Sequence, residues 1–257
     1  MIAPLPPQVQ ACLAAIESEN PAGFRACFAP QARFFGTWIS TEIQGLDYIQ
    51  WAFRAALEVM PGLRVVPLET HGDDVELGVS AQMILRDGRT TEGLWVFKLD
   101  AEGRIDRLAV LWDPATLLPG HDSTPTLPTV LPDAVRAPLE AALEAFNHGD
   151  EERLVALLSP TGRYRGTLGK VETQGRAAAR GVFRGIRYAT GLDQVMAGRV
   201  VGRMPEVAFK VSMGISFTGA STEGWWVLRF TEGGAIQRMA VLWNPLQLLS
   251  RRRSSVS

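Results

Sequence analysis

Acid–base chemistry on a small molecule needs a carboxylate, imidazole or phenol held where burial can tune it. Few residues here qualify. Asp113 closes the stretch AVLWDP (109–114), which returns as AVLWNP (240–245) with Asn244 in its place. Asparagine cannot ionise, so proton transfer through Asp113 would be confined to one copy. Asx-Pro pairs also start turns, and Asp and Asn serve equally well there. His71 can act as a lone base at a pocket rim or be a loop residue before Gly72-Asp73, and either His71 or Glu69 could assist Asp113. Tyr164 offers a hydroxyl donor that its counterpart Phe34 lacks. His71, His121 and His148 are isolated, and Cys12 and Cys27 are the only cysteines. Their spacing suggests neither a metal site nor a disulfide framework, and no cofactor is expected.

Composition sets the wider limits. The 257 residues are 46% hydrophobic and 21% charged, with a formal net charge of −1. These are the proportions of a globular protein, and the charge gives no general pull toward nucleic acid or anionic lipid. The N-terminal stretch has no basic n-region or continuous apolar core. No run approaches the roughly 20 apolar residues of a membrane-spanning helix. A reduced, cytoplasmic setting is expected. Arg251-Arg252-Arg253 reads as a solvated tail.

The repeat extends far beyond six letters. TEGLWVFKLDAEGRIDRLAVLWDPATLL (91–118) and TEGWWVLRFTEGGAIQRMAVLWNPLQLL (222–249) agree at more than half of their positions. RFFGTWISTEIQG (33–45) and RYRGTLGKVETQG (163–175) match again. A match this long means duplication of a whole folding unit, too large for a solenoid repeat. The expected organisation is a first domain at 1–118, a linker at 119–132, a second domain at 133–250 and a tail at 251–257. The linker holds Pro119, Pro125, Pro128 and Pro132, which favour extended chain.

The elements that must position the candidates follow from periodicity. Val9, Cys12, Leu13 and Ile16 recur at helical spacing. Asn20-Pro21 caps and starts a second helix. Leu46, Ile49, Phe53 and Leu57 mark a third. Strands are expected at 32–37, 63–69, 75–86, 90–99 and 105–112. Val75, Leu77, Val79, Ala81, Met83 and Leu85 alternate with more polar partners, the period of an antiparallel sheet with one buried and one polar face. Three helices on such a sheet make an α+β layer fold. The same phase turns Trp95, Phe97 and Trp112 inward with Val79 and Met83. In the second copy it turns Val211, Met213, Trp226 and Trp243 inward, alongside Tyr164. These rings either line two cavities for a flat, greasy small molecule or fill the interior themselves. Glu92, Arg107 and their counterparts Glu223 and Arg238 fall outward, where cross-strand ion pairing is the simplest account.

Three motifs carry a family likeness: F-A-P-x-A-R-F (28–34), E-x-x-G (42–45 and 172–175) and G-R-I-x-R-L-A-V-L-W-D-P (103–114). With the element order, they make each half resemble the NTF2-like superfamily, and within it the SnoaL-like and ketosteroid-isomerase-like domains. The resemblance implies two tandem cone folds, each with three helices packed on a curved antiparallel sheet around an apolar pocket. It implies a SnoaL-like pocket protein for a small hydrophobic ligand, a cofactor-free cyclase or isomerase of secondary metabolism, or else a non-catalytic binder or scaffold. Fold alone does not choose among them. The isomerases' base lies on the first strand, where Arg33 to Thr37 and Arg163 to Thr167 hold no carboxylate. Their protonated Asp corresponds to Trp95 or Trp226, and the cyclases' late Asp to Asp113. Domains of this family commonly pair through outer sheet faces, so the resemblance also implies an intrachain pseudo-dimer.

Overall fold

The computed structural model describes residues 4–37, 42–112, 133–166, 172–215 and 220–243. The linker, the C-terminal tail, Asp113 and Asn244 lie outside the described residues. The chain divides into two compact units, Met1–Thr126 and Leu127–Ser257.

Unit 1 runs α1 (Pro7–Glu17), α2 (Pro21–Ala26), β1 (Phe28–Gly36), β2 (Ile43–Gln44), α3 (Leu46–Val59), β3 (Arg64–Gly72), β4 (Glu76–Ile84), β5 (Thr90–Leu99) and β6 (Ile105–Leu111). Asn20 caps α2 by accepting from the Gly23 amide at 3.0 Å. Gly45 enters α3 at φ +97° and Gly175 enters the matching helix at φ +85°, a region that disfavours side chains. The E-x-x-G glycine is therefore a backbone requirement. Unit 2 repeats the order: α4 (Asp133–His148), α5 (Glu151–Ala156), β7 (Leu158–Gly166), β8 (Thr173–Gln174), α6 (Arg176–Thr190), β9 (Gln194–Arg203), β10 (Glu206–Ile215), β11 (Ala220–Phe230) and β12 (Ile236–Trp243).

Each sheet has six strands, ordered β2-β1-β6-β5-β4-β3 and β8-β7-β12-β11-β10-β9. The last four strands of each unit form the expected antiparallel meander. β1 and β7 instead run parallel to β6 and β12. Parallel neighbours need a long crossover, which α3 or α6 and the meander supply. β1 also begins earlier than the sequence suggests, with a register irregularity between Phe28 and Arg33.

The helices cover one face of each sheet. In unit 1, Val9, Cys12 and Ile16 of α1, Phe24 of α2, and Ile49, Ala52, Phe53 and Ala56 of α3 share a core with Val79, Met83, Trp95, Phe97, Val110 and Trp112. In unit 2, Leu139, Phe146, Leu154 and Phe183 share one with Tyr164, Val211, Met213, Trp226, Val241 and Trp243. The other sheet face is less polar than alternation alone suggests. Phe35, Leu94, Val96, Ala109 and Leu111 are buried, as are Ala208, Trp225, Val227, Ala240 and Leu242. LWVF and LAVL are apolar in both phases, the pattern of strands buried on both faces.

Candidate functional site

A narrow apolar recess lies inside unit 1. Its walls include Ile16, Phe34, Phe53, Met60, Met83 and Trp95. Counted to its open mouth it spans about 380 Å³, but its unobstructed interior is about 20 Å³, room for about one water. Most of the cone is therefore filled by side chains. Every residue lining the recess is non-ionisable.

Of the residues expected to line a pocket, Met83 and Trp95 do so. Val79, Phe97 and Trp112 are buried in the same core without reaching the recess. Val211, Met213, Tyr164, Trp226 and Trp243 are buried in the core of unit 2. The Tyr164 ring meets Phe183 edge-on at 4.3 Å, and burial pushes its phenol above the ordinary range. The helical walls, Phe53 and Leu57 of α3 with Met60 at its C-cap, are missing from a pocket read off strand phase. The helical spacing that places Phe53 and Leu57 near one face is the signal that points to them.

One polar atom stands out in each core. The Nε1 donors of Trp95 and Trp226 are fully buried and find no hydrogen-bond acceptor among the described residues. Leaving a buried donor unmade costs about 1–3 kcal/mol. The two tryptophans occupy equivalent positions of β5 and β11, so both units keep the arrangement.

His71 does not sit at the pocket rim. Strict alternation from Val65 would carry Glu69 and His71 to the core face. A bulge between Pro67 and Glu69 reverses the phase. Glu69 then pairs with Ser80 and His71 with Gly78, both on the face opposite Val79. There His71 is buried, with Nε2 3.3 Å from the Glu69 carboxylate. Its register equivalent in unit 2 is Val201, opposite Ala208. Asp113 falls outside the described residues.

The residues that recur in both copies have architectural work. Thr37 Oγ1 accepts from the Trp112 amide and donates to the Val110 carbonyl, each at 3.0 Å, tying the ends of β1 and β6 together. A methyl on Gly93 would lie 2.7 Å from the Leu111 carbonyl oxygen and 3.0 Å from Trp112 Cβ. Gly224 stands in the same relation to Leu242 and Trp243, at 2.5 and 2.8 Å. Each glycine makes room for the last strand's tryptophan. The outward charges pair differently from the expectation. The register sets Lys98, not Glu92, opposite Arg107. Arg107 Nε donates to Glu42 at 2.6 Å, with Arg33 also near that carboxylate at 3.8 Å. Arg238 and Arg163 hold Glu172 at 2.5 and 3.4 Å. The E-x-x-G glutamate thus clamps β1 or β7 to the last strand. Glu223 pairs with Lys210 at 2.9 Å.

The two units close their helix layers differently. Leu57 of α3 lines the recess. Counting from Gly45 and Gly175, its counterpart on α6 is Arg187. That guanidinium donates to the Phe146 carbonyl and lies 5.6 Å over the Phe146 ring.

Two units, each a layer of three helices over one face of a six-stranded sheet with an apolar interior, define a duplicated α+β cone fold. The SnoaL-like domain model matches the chain twice, at residues 9–108 and 139–239. The chain belongs to that family, as two tandem NTF2-like units. A candidate polyketide cyclase from Sinorhizobium meliloti is 25% identical, with 41% of this chain and 94% of that one covered and a TM-score of 0.37. A candidate isomerase of the SnoaL-like family from Agrobacterium tumefaciens is 28% identical, with 41% and 94% covered and a TM-score of 0.36. A candidate ketosteroid isomerase from Kribbella flavida is 20% identical, with 44% and 78% covered and a TM-score of 0.37. Each covers less than half of this chain. A search of curated proteins found no match. Among the described residues, no helix is long and apolar enough to cross a membrane, and no cluster of His, Cys, Asp or Glu is arranged to hold a metal.

Proposed function

We propose that this protein is a non-catalytic binder of small apolar molecules that carry one hydrogen-bond acceptor, such as a cyclic ketone. The observation that carries the reading is an apolar recess walled in part by the Trp95 ring, whose buried Nε1–H has no acceptor among the described residues. A ligand carbonyl would satisfy this donor while its hydrocarbon body replaces void contacts. The free interior is small, so the ligand enters by displacing side chains. Met60 and Met83, both on the wall, are unbranched and adapt readily. Cyclase or isomerase chemistry of the kind named for the structural neighbours calls for a titratable group beside the substrate. The described lining has none.

The test is a thermal-shift and tryptophan-fluorescence screen of cyclic ketones against hydrocarbons of matched shape. Ketones should stabilise the chain more than their hydrocarbon partners, and Trp95→Phe should erase the difference. Equal shifts for both series would remove the hydrogen bond from the reading. Turnover of any hit, abolished by Asp113→Asn, would replace the binder with an enzyme.

A further inference from the structure

The two units have diverged most visibly on the outer faces of their third helices. On α3, Tyr48 is 65% exposed, Trp51 63% and Val59 54%. With Ala55 they follow one another at helical spacing and form a single apolar ridge. A monomer gains nothing by presenting two aromatic rings and a valine to water in one line. Aligned from Gly45 and Gly175, the α6 positions matching Tyr48, Trp51 and Ala55 are Ala178, Gly181 and Gly185, all exposed. A side chain at Gly181 or Gly185 would meet nothing within 4 Å. Neither glycine makes room for a neighbour in its own unit, and both weaken their helix.

Charge follows the same division. Helix α6 carries Arg176, Arg180, Arg184 and Arg187 and no acid. Glu152 and Glu151 of α5 answer Arg180 and Arg184, at 2.6 and 2.7 Å, while Arg176 and Arg187 donate to backbone carbonyls, so the helix keeps a positive excess. On α3, Asp47 and Glu58 flank Trp51 on the side of Arg54. Asp47 is paired with Arg25 of α2.

We propose that the α3 ridge of one chain docks on the α6 face of a second copy. Trp51 fills the notch left by Gly181 and Gly185, and Asp47 and Glu58 come up against the α6 arginines. Each surface is exposed on its own unit. The contact joins two different surfaces, so each chain offers one ridge and one notch.

Sedimentation velocity of the full chain over a concentration series tests this. The wild type should associate as concentration rises. Trp51→Glu and Gly181→Leu should each weaken association at least tenfold. Both sites face solvent, and far-UV circular dichroism and the melting temperature will show that each variant is folded. The decisive arm mixes the two variants. The Gly181→Leu chain keeps its ridge and the Trp51→Glu chain keeps its notch, so the mixture should form a dimer that neither forms alone. A wild type that stays monomeric to its solubility limit overturns the proposal. So does association that survives either substitution, or a mixture that does not dimerise.

Discussion

Trp95→Phe separates two roles of one atom. In the ligand-free chain the substitution removes a buried donor without an acceptor among the described residues, a relief of about 1–3 kcal/mol. Against this stands the lost edge of the indole. Roughly 40 Å³ of new void at about 24 cal/mol per Å³ costs about 1 kcal/mol. The site already contains about 20 Å³ of free interior, so the new space adds to an existing void. The balance predicts a ligand-free protein unchanged or up to about 2 kcal/mol more stable, where truncating an ordinary core tryptophan loses stability. With a ketone bound the sign reverses, because the hydrogen bond is gone. Affinity should fall by about 0.5–1.5 kcal/mol, some two- to tenfold. The hydrocarbon analogue should bind as before. Urea unfolding followed by circular dichroism measures the first effect, with separate transitions allowed for the two units. Calorimetric titration measures the second. A ligand-free loss above about 2 kcal/mol would refute the argument, since it would mean the indole N–H has a stabilising partner. So would equal weakening of ketone and hydrocarbon.

Three further outcomes follow from the geometry. Glu42→Leu leaves Arg107 buried without its closest carboxylate and should cost about 3–5 kcal/mol in urea unfolding; adding Arg107→Met should recover most of that loss, and an additive double variant would sink the clamp. Gly93→Ala forces a methyl against the Leu111 carbonyl and Trp112, so unit 1 should lose about 1–3 kcal/mol, and a neutral result would mean the last strand is free to shift. The raised phenol of Tyr164 means the folded chain holds that proton more tightly than the unfolded chain. Stability should therefore decline as pH rises past about 10. Tyr164→Phe should flatten that decline in alkaline melts, and an unchanged slope would contradict the burial argument.

Much of the fold was legible because its periods are simple. Val79 and Met83 alternate cleanly, and once they are set inward Trp95 and Phe97 follow by pairing and Trp112 by alternation from Val110. What failed were inferences that needed register. One bulge after Pro67 carries His71 to the other face, and no local signal in VVPLETHG fixes where the extra residue falls. Arg107 meets Glu42 because β1 lies parallel beside β6 and brings β2 with it, a neighbour relation invisible along the chain. The candidate site shows the same limit. The inward tryptophans could be read, but which of them faces open space depends on how far Phe53 of α3 and Met60 at its C-cap reach in. Repetition alone does not say why E-x-x-G, Gly-Thr and Thr-Glu-Gly recur in both halves. Distances to Glu42, Thr37 and Gly93 assign them to architecture.

The exchange of Leu57 for Arg187 gives the two interiors unequal doors. The first is shut by hydrocarbon alone, and a guest that replaces those contacts with its own loses little by entering. The second is bolted by a guanidinium gripping the Phe146 carbonyl and ring, and admission there must first break that grip. A guest that enters unit 1 should therefore do so at concentrations that leave the core of unit 2 undisturbed.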